Sequence, residues 1–319
     1  MARESIKSIE WGKKHPGLRY IKTHPLLYVM LIAGLLKIII FEFVPYWGLQ
    51  IAFKDYNIFA GKGPWNAISA SKWVGFENFK VLFQSPKFFQ LLRNTLEINL
   101  LRIAFTFPIP IMMALFIVEI RSHGYRKVTQ TMIYVPYFFS WAVIYGIFSS
   151  ILSSDGLVNL ALKAITGKPV MFLTNAHLFR GVLVFTDLWK NVGYNSVIYI
   201  AVIAGIDPQL YEAARIDGAS KWRQIFNITL PCILPTIVLK FTLSFGHILT
   251  TGWSQVLMFY NPAVYDSADI IKTYVYRVGI GNLNFSHATA IDLFNSVIAF
   301  ILIVSANSIN KKYLHKSIW

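Results

Sequence analysis

The 319-residue chain contains a single cysteine, Cys232, so neither an intrachain disulfide nor a thiolate metal cage can form, and an inert buried thiol is expected. Charge is scarce: Asp, Glu, Lys and Arg make up 14% of residues, with 30 basic side chains against 15 acidic ones. None of the seven histidines is followed by Glu, which excludes an HExxH zinc helix, and no G-x-S-x-G nucleophile elbow occurs. Gly167-Lys168 is followed by Pro169, so the phosphate-binding G-x4-G-K-[ST] loop is missing as well. No enzyme site, metal site or bound cofactor is expected, and any ATP would be used by another polypeptide. Membrane enzymes with dispersed catalytic residues remain the open alternative.

Apolar residues fill the space that charge leaves. They make up 55% of the chain and the mean hydropathy is +0.51, too apolar for a water-soluble fold of this length. Runs long enough to cross about 30 Å of hydrocarbon lie near Leu26–Trp47, Thr95–Val118, Thr131–Leu152, Leu178–Ala204, Ile233–Met258 and Ala288–Ile309. They are too long and too evenly apolar for barrel strands, so the expected fold is an all-α membrane protein of six transmembrane helices. The first run is too long for a signal-peptide core and no small-residue cleavage site follows it. The expected organisation is an N-terminal tail (1–25), one membrane domain (26–310) and a C-terminal tail (311–319).

Basic residues cluster in 1–25, in Arg121–Lys127, in the loop 207–231 and around Lys311, Lys312 and Lys316. The positive-inside rule then places both termini and that loop in the cytoplasm, with 48–94, 153–177 and 259–287 outside. The same asymmetry accounts for much of the net charge of +15 without invoking nucleic acid.

The loop Asp207–Pro231 is the most specific stretch. Asp207 is suited to cap a helix, Pro208 to occupy its first position, and Gly218 to end it in a left-handed conformation. A second short helix is expected over Ala219–Asn227, with Trp222, Ile225 and Phe226 on one side, giving a helix-turn-helix knob outside the bilayer. The small Ala213 and Ala214 allow close approach of another surface, and Glu212 offers a carboxylate.

These residues resemble the coupling loop of membrane subunits of binding-protein-dependent ABC importers, which reads E-A-A, three residues, G, nine residues, I-x-L-P. Glu212, Ala213, Ala214, Gly218, Ile228, Leu230 and Pro231 fill every fixed position. Trp73–Phe79, Asn94-Thr95, Tyr134-Val-Pro136, Ser154–Leu157, Ile206–Pro208 and Asp269–Arg277 resemble the branch that imports complex oligosaccharides, including alginate-type and pectin-fragment importers. The resemblance implies a type I importer fold in a bacterial inner membrane. It also implies a second similar permease, two ATPase subunits that use ATP and Mg, and an extracytoplasmic solute-binding protein. A simple disaccharide or another solute is the alternative cargo, and a membrane scaffold the alternative class.

Polar and aromatic residues at membrane depth are the candidates for the substrate path, because such groups face a bundle interior or an aqueous route. Asp187, Trp189, Asn191, Tyr194 and Asn195 cluster in the fourth run, where Lys190 is placed to neutralise Asp187. Trp141 and Tyr145 share one face of the third, Trp253 and Gln255 lie in the fifth, and Asn295, with Asp292 and Asn307, in the last. Each also serves an ordinary structural role: interhelical hydrogen bonding for the polar groups, interfacial anchoring for Trp253. His247 is expected to be a packing residue. Trp65, Trp73, Phe76, Tyr265, Tyr274 and Arg277 are the candidates for contact with a binding protein.

Overall fold

A computed structural model describes residues 23–314, with side chains to 312. The tails 1–22 and 315–319 fall outside the described residues. The chain divides into two compact units, one ending at Gly75 and one beginning at Phe76.

The first unit opens with the apolar helical run Pro25–Phe53, which continues beyond the expected Trp47. Its first part is α1 (Pro25–Ile38), with Pro25 at the position that needs no N–H donor. The run ends where Lys54 adopts extended backbone. There β1 (Lys54–Asp55) pairs antiparallel with β2 (Lys72–Trp73) across the short helix α2 (Pro64–Ala70). Phe53 stacks on Trp73 with centroids 5.8 Å apart, and Lys54 Nζ donates to the Ile68 carbonyl at 2.6 Å. These contacts close the small lobe and fix Trp73 in it.

The second unit carries the remaining membrane helices. Helix α3 (Glu77–Gln84) leads into α4 (Pro86–Thr106), and Pro108 opens α5 (Pro108–Glu119); together they make a 34-residue apolar run. Next come α6 (His123–Tyr134), α7 (Trp141–Leu152) and α8 (Leu157–Thr166). The 29-residue α9 (Ala176–Ala204) bends by 71° into α10 (Pro208–Ile216). Then α11 (Lys221–Gln224) leads through a π turn into α12 (Leu230–Gly246). The short helices α13 (Trp253–Phe259), α14 (Tyr265–Ala268) and α15 (Ile271–Tyr276) precede α16 (Phe285–Leu314). Five runs among the described residues qualify as spans, and six when the bent pair α9–α10 is taken as one.

Further boundaries differ from expectation. The third run is not continuous over Thr131–Leu152: α6 tightens through Val135–Phe138 and stops, and α7 restarts behind Ser140, whose side chain accepts from Val143 N at 3.3 Å. The spanning stretch is Trp141–Thr166. The fifth run begins earlier, at Lys221, and ends at Gly246 rather than Met258. Gly252, at φ +77°, starts the separate helix α13. The second helix of the 207–231 loop does not stop at Asn227 either, because it is the first turn of the fifth span.

Helix α9 is the hub, packing on α4, α5, α6 and α12. Lipid is as apolar as leucine, so close packing and buried polar bonds, rather than burial alone, hold such helices together. One apolar cluster joins Ile98, Ile144, Phe148, Phe179, Leu183 and Phe259, and another joins Ile111, Ala114, Tyr199, Ile203 and Ile233. Where α9 crosses α6, a Cβ on Gly193 would lie 2.0 Å from the Ile133 carbonyl oxygen. Gly193→Ala therefore forces the backbones apart and is expected to cost about 1–3 kcal/mol. A lower midpoint in thermal unfolding of detergent-solubilised protein would register it, and an unchanged midpoint would contradict this packing.

Outside the spans, Asp269 organises 260–281. Its carboxylate accepts from Thr273 Oγ1 at 2.8 Å and pairs with Arg277. The Arg277 guanidinium packs over the rings of Tyr265 and Tyr274, at 4.9 and 5.5 Å. Burial opposes its charge, but the bonds to and field of Asp269 outweigh that and raise its pKa above the ordinary arginine value.

Candidate coupling loop and polar cavity

The loop has the geometry its residues dictate. The Asp207 carboxylate accepts from Gln209 N at 2.9 Å, capping α10 with Pro208 in its first turn. The helix closes when Ala219 N donates to the Ala214 carbonyl at 2.8 Å, a wrap that requires the left-handed Gly218, at φ +73°. Ser220 then caps α11 by accepting from Arg223 N.

Two bonds brace the knob. Tyr211 Oη lies 2.9 Å from Thr229 Oγ1, linking α10 to the π turn, and Lys221 reaches Glu119 at the end of α5 at 2.7 Å. Glu212, Ala213 and Gly218 are exposed, while Ala214, Ile228 and Leu230 are half-buried and Pro231 is exposed at the start of α12. Ile216 is 88% exposed. A large aliphatic side chain held in the open beside the small Ala213 makes an outward face suited to docking. Trp222 and Phe226, both exposed, stack on each other at 6.4 Å.

A second site lies within the spans. A cavity of about 190 Å³ is lined by polar side chains, Arg102 and Thr106 from the α4 run, Asp187, Asn191 and Asn195 from α9 and Lys240 from α12, set among the apolar Ile103, Phe107, Pro110 and Ile248. Arg102 is only 2% exposed. Its guanidinium donates to the Gln255 side chain, to Asn99 Oδ1 at 3.3 Å and to the Thr251 carbonyl at 3.3 Å. Gln255 is held in turn by the Leu183 carbonyl at 2.8 Å and Thr186 Oγ1 at 2.6 Å. A Cβ on Gly252 would fall 1.3 Å from an Arg102 nitrogen, so the turn after α12 is shaped around this guanidinium. Asp187 supplies the opposite charge that Arg102 feels, and it accepts from Asn191 at 3.0 Å. The Lys240 ammonium makes no hydrogen bond or ion pair among the described residues.

Of the candidates for the substrate path, Asp187, Asn191 and Asn195 come together on this cavity, and Gln255 sits behind it as the anchor of Arg102. The others lie elsewhere. Trp141 and Tyr145 pack edge-on against Phe259, Trp189 against Phe148, Tyr194 stacks on Tyr137 at 3.8 Å, and Trp253 leans on Tyr276. Asn295 is fully buried against the Leu249 carbonyl. Asp187 and Lys190 do not form an ion pair. Lys190 instead donates to the Tyr137 carbonyl at 2.7 Å and to that of Phe139, because the break between α6 and α7 leaves those acceptors free. Arg102 and Lys240 were missed, although a lone basic residue inside an apolar run is itself the signal.

Residues 106–316 match the family described as binding-protein-dependent transport system inner membrane component. The chain is 40% identical over 303 residues to Protein LplB of Bacillus subtilis (strain 168), covering 95% of this chain and 93% of that one. It is 38% identical over 294 residues to the polygalacturonan/rhamnogalacturonan transport system permease protein YteP of the same organism, covering 92% and 90%. Among solved structures, it superposes with a TM-score of 0.83 and 38% identity on a chain of a bacterial alginate ABC transporter in complex with an alginate pentasaccharide-bound periplasmic protein. That match covers 94% of this chain and 99% of the other.

Proposed function

Because the chain belongs to the family of binding-protein-dependent transport system inner membrane components, we propose that it forms half of the translocation path for acidic oligosaccharides. It is a multi-span permease subunit of an ABC importer of the inner membrane with the type I fold. The observation that carries the substrate class is the polar cavity, where Arg102 and Lys240 stand against the single carboxylate of Asp187. A sugar carboxylate passing Lys240 replaces water with a cation that has no protein partner. Asn99, Asn191, Asn195 and Ser244 offer amides and a hydroxyl to sugar hydroxyls. The name of YteP, a polygalacturonan/rhamnogalacturonan permease, and that of a transporter for what is called the acidic polysaccharide alginate support the same class.

In this reading Glu212, Ala213, Ala214, Gly218, Ile228, Leu230 and Pro231 form the seat for one of two ATPase subunits. Those subunits supply the ATP and Mg chemistry, and the chain contributes no nucleotide site of its own. A second similar permease completes the path, and an extracytoplasmic binding protein delivers the sugar to the side opposite the loop. Both termini lie with the loop in the cytoplasm. Closure of the ATPases moves the knob, and the spans attached to it alternate the cavity between the two sides.

The test is uptake by the reconstituted importer of a uronate trisaccharide and a neutral trisaccharide, with Lys240→Gln beside wild type. Loss of one desolvated charge contact is expected to lower uptake of the acidic sugar about tenfold and to leave the neutral one within about twofold. Equal loss for both sugars would instead favour a neutral cargo bound by the amide-lined walls.

A further inference from the structure

Behind the knob, on the side away from Glu212 and Ala213, lies a cleft of about 660 Å³ that neither the coupling reading nor the transport path uses. Its inner wall is apolar, built by Leu115 and Val118 of α5 and Ile203 of α9. Its mouth is basic, with Arg121, Arg126, Arg215 and Lys221 against one carboxylate, Glu119. That carboxylate is already taken by Lys221. Arg126 spends Nη2 on the Val118 and Ile120 carbonyls, at 2.7 and 2.8 Å, and its Nε is buried without a partner. The guanidinium groups of Arg121 and Arg215 make no ion pair or hydrogen bond among the described residues. Tyr211 and Arg215 of α10 share this inner side, one helical turn apart, while Glu212 and Ile216 point outward.

An apolar slot at the ends of the spans, opening on unpaired guanidinium groups, matches a molecule with hydrocarbon at one end and an anion at the other. We propose that the cleft holds an anionic phospholipid of the cytoplasmic leaflet, its phosphate between Arg121 and Arg215 and its acyl chain along Leu115, Val118 and Ile203. Charge complementarity picks the headgroup, because a zwitterionic lipid would bring its own cation into a ring of four. The bound lipid wedges α10 against the end of α5, so it stiffens the knob from behind without occupying the docking face. The inference rests on the coupling reading only for the leaflet that the loop faces.

The assembled importer, with its partner permease and ATPases, is extracted from its native membrane in mild detergent, and the retained lipid is identified by native mass spectrometry. Phosphatidylglycerol is expected on the wild type, with about thirtyfold lower occupancy in the double variant Arg121→Gln/Arg215→Gln. The variant Arg121→Lys/Arg215→Lys, which keeps both charges, retains it. Equal phosphatidylglycerol on the wild type and the Gln variant overturns the proposal. So does loss of the ATPases from the Gln variant with lipid unchanged, which would assign the cleft to an acidic segment of an ATPase. Failure of the coupling reading is separately visible as absence of ATPases from the wild type.

Discussion

Replacing Gly218 by valine is expected to abolish coupled import while leaving the membrane bundle intact. At φ +73° a β-branched side chain meets the following carbonyl, a penalty of roughly 1–2 kcal/mol or more for any residue other than glycine. The chain avoids it by unwinding the wrap between Ala219 N and the Ala214 carbonyl, which fixes where α10 ends and α11 starts. Glu212, Ala213 and Ile216 would then face a different direction. Misplacement of a docking element by about 1 Å is enough to cost on the order of a hundredfold in the step it supports. The measurement is substrate-stimulated ATP hydrolysis and uptake in proteoliposomes, with the unfolding midpoint of the same sample. Lost stimulation with the midpoint within a few degrees supports the coupling role, and unchanged stimulation sinks it. Glu212→Lys tests the same face by charge alone, because the turn geometry does not involve its side chain.

The second large effect is expected at Arg102. Removing its side chain in Arg102→Met leaves the Gln255 amide, the Thr251 carbonyl and Asn99 short of a donor. It also leaves Asp187 without the opposite charge it faces across the cavity. Each orphaned polar group costs about 1–3 kcal/mol, so the single variant should assemble poorly and transport little. Adding Asp187→Asn removes the stranded carboxylate and should recover part of the assembly without restoring uptake of the acidic sugar. That split is the informative result, read as complex yield by size-exclusion chromatography beside transport. A double variant no better assembled than Arg102→Met would show that the two charges are not coupled.

The shape of the 207–231 loop was legible because most of what forms it is local in sequence: the Asp207 cap, Pro208 and the left-handed Gly218, with only the Lys221–Glu119 brace coming from far along the chain. The six apolar runs were legible for the same reason, since thickness of hydrocarbon is a condition on consecutive residues. The break at Phe139-Ser140 was not. Apolar residues continue straight through it, and the group that stabilises the free carbonyls, Lys190, comes from another helix 51 residues away in sequence. The end of the fifth span was hidden likewise, because the turn before Trp253 is shaped around Arg102, which lies 150 residues earlier. Tryptophans and tyrosines were chosen for affinity to sugars, yet Trp141, Trp189 and Tyr145 are used as packing against Phe148 and Phe259. Residue type reports what a side chain can do, while only the arrangement of helices decides which of them meet a cavity.

The uninterrupted run from Lys221 to Gly246 has a mechanical consequence. At 26 residues it is about 39 Å long, a single beam with one end in the knob and Lys240 near the other. Each degree of tilt imposed at Lys221 sweeps the far end through about 0.7 Å if the beam is stiff. Its two soft points, the π turn at Ile225–Thr229 and Pro235 inside α12, both lie on the knob side of Lys240. The displacement delivered to Lys240 is therefore set by the compliance of those two joints, and of the two only Pro235 can be changed without altering a residue of the proposed ATPase seat, because the π turn contains Ile228.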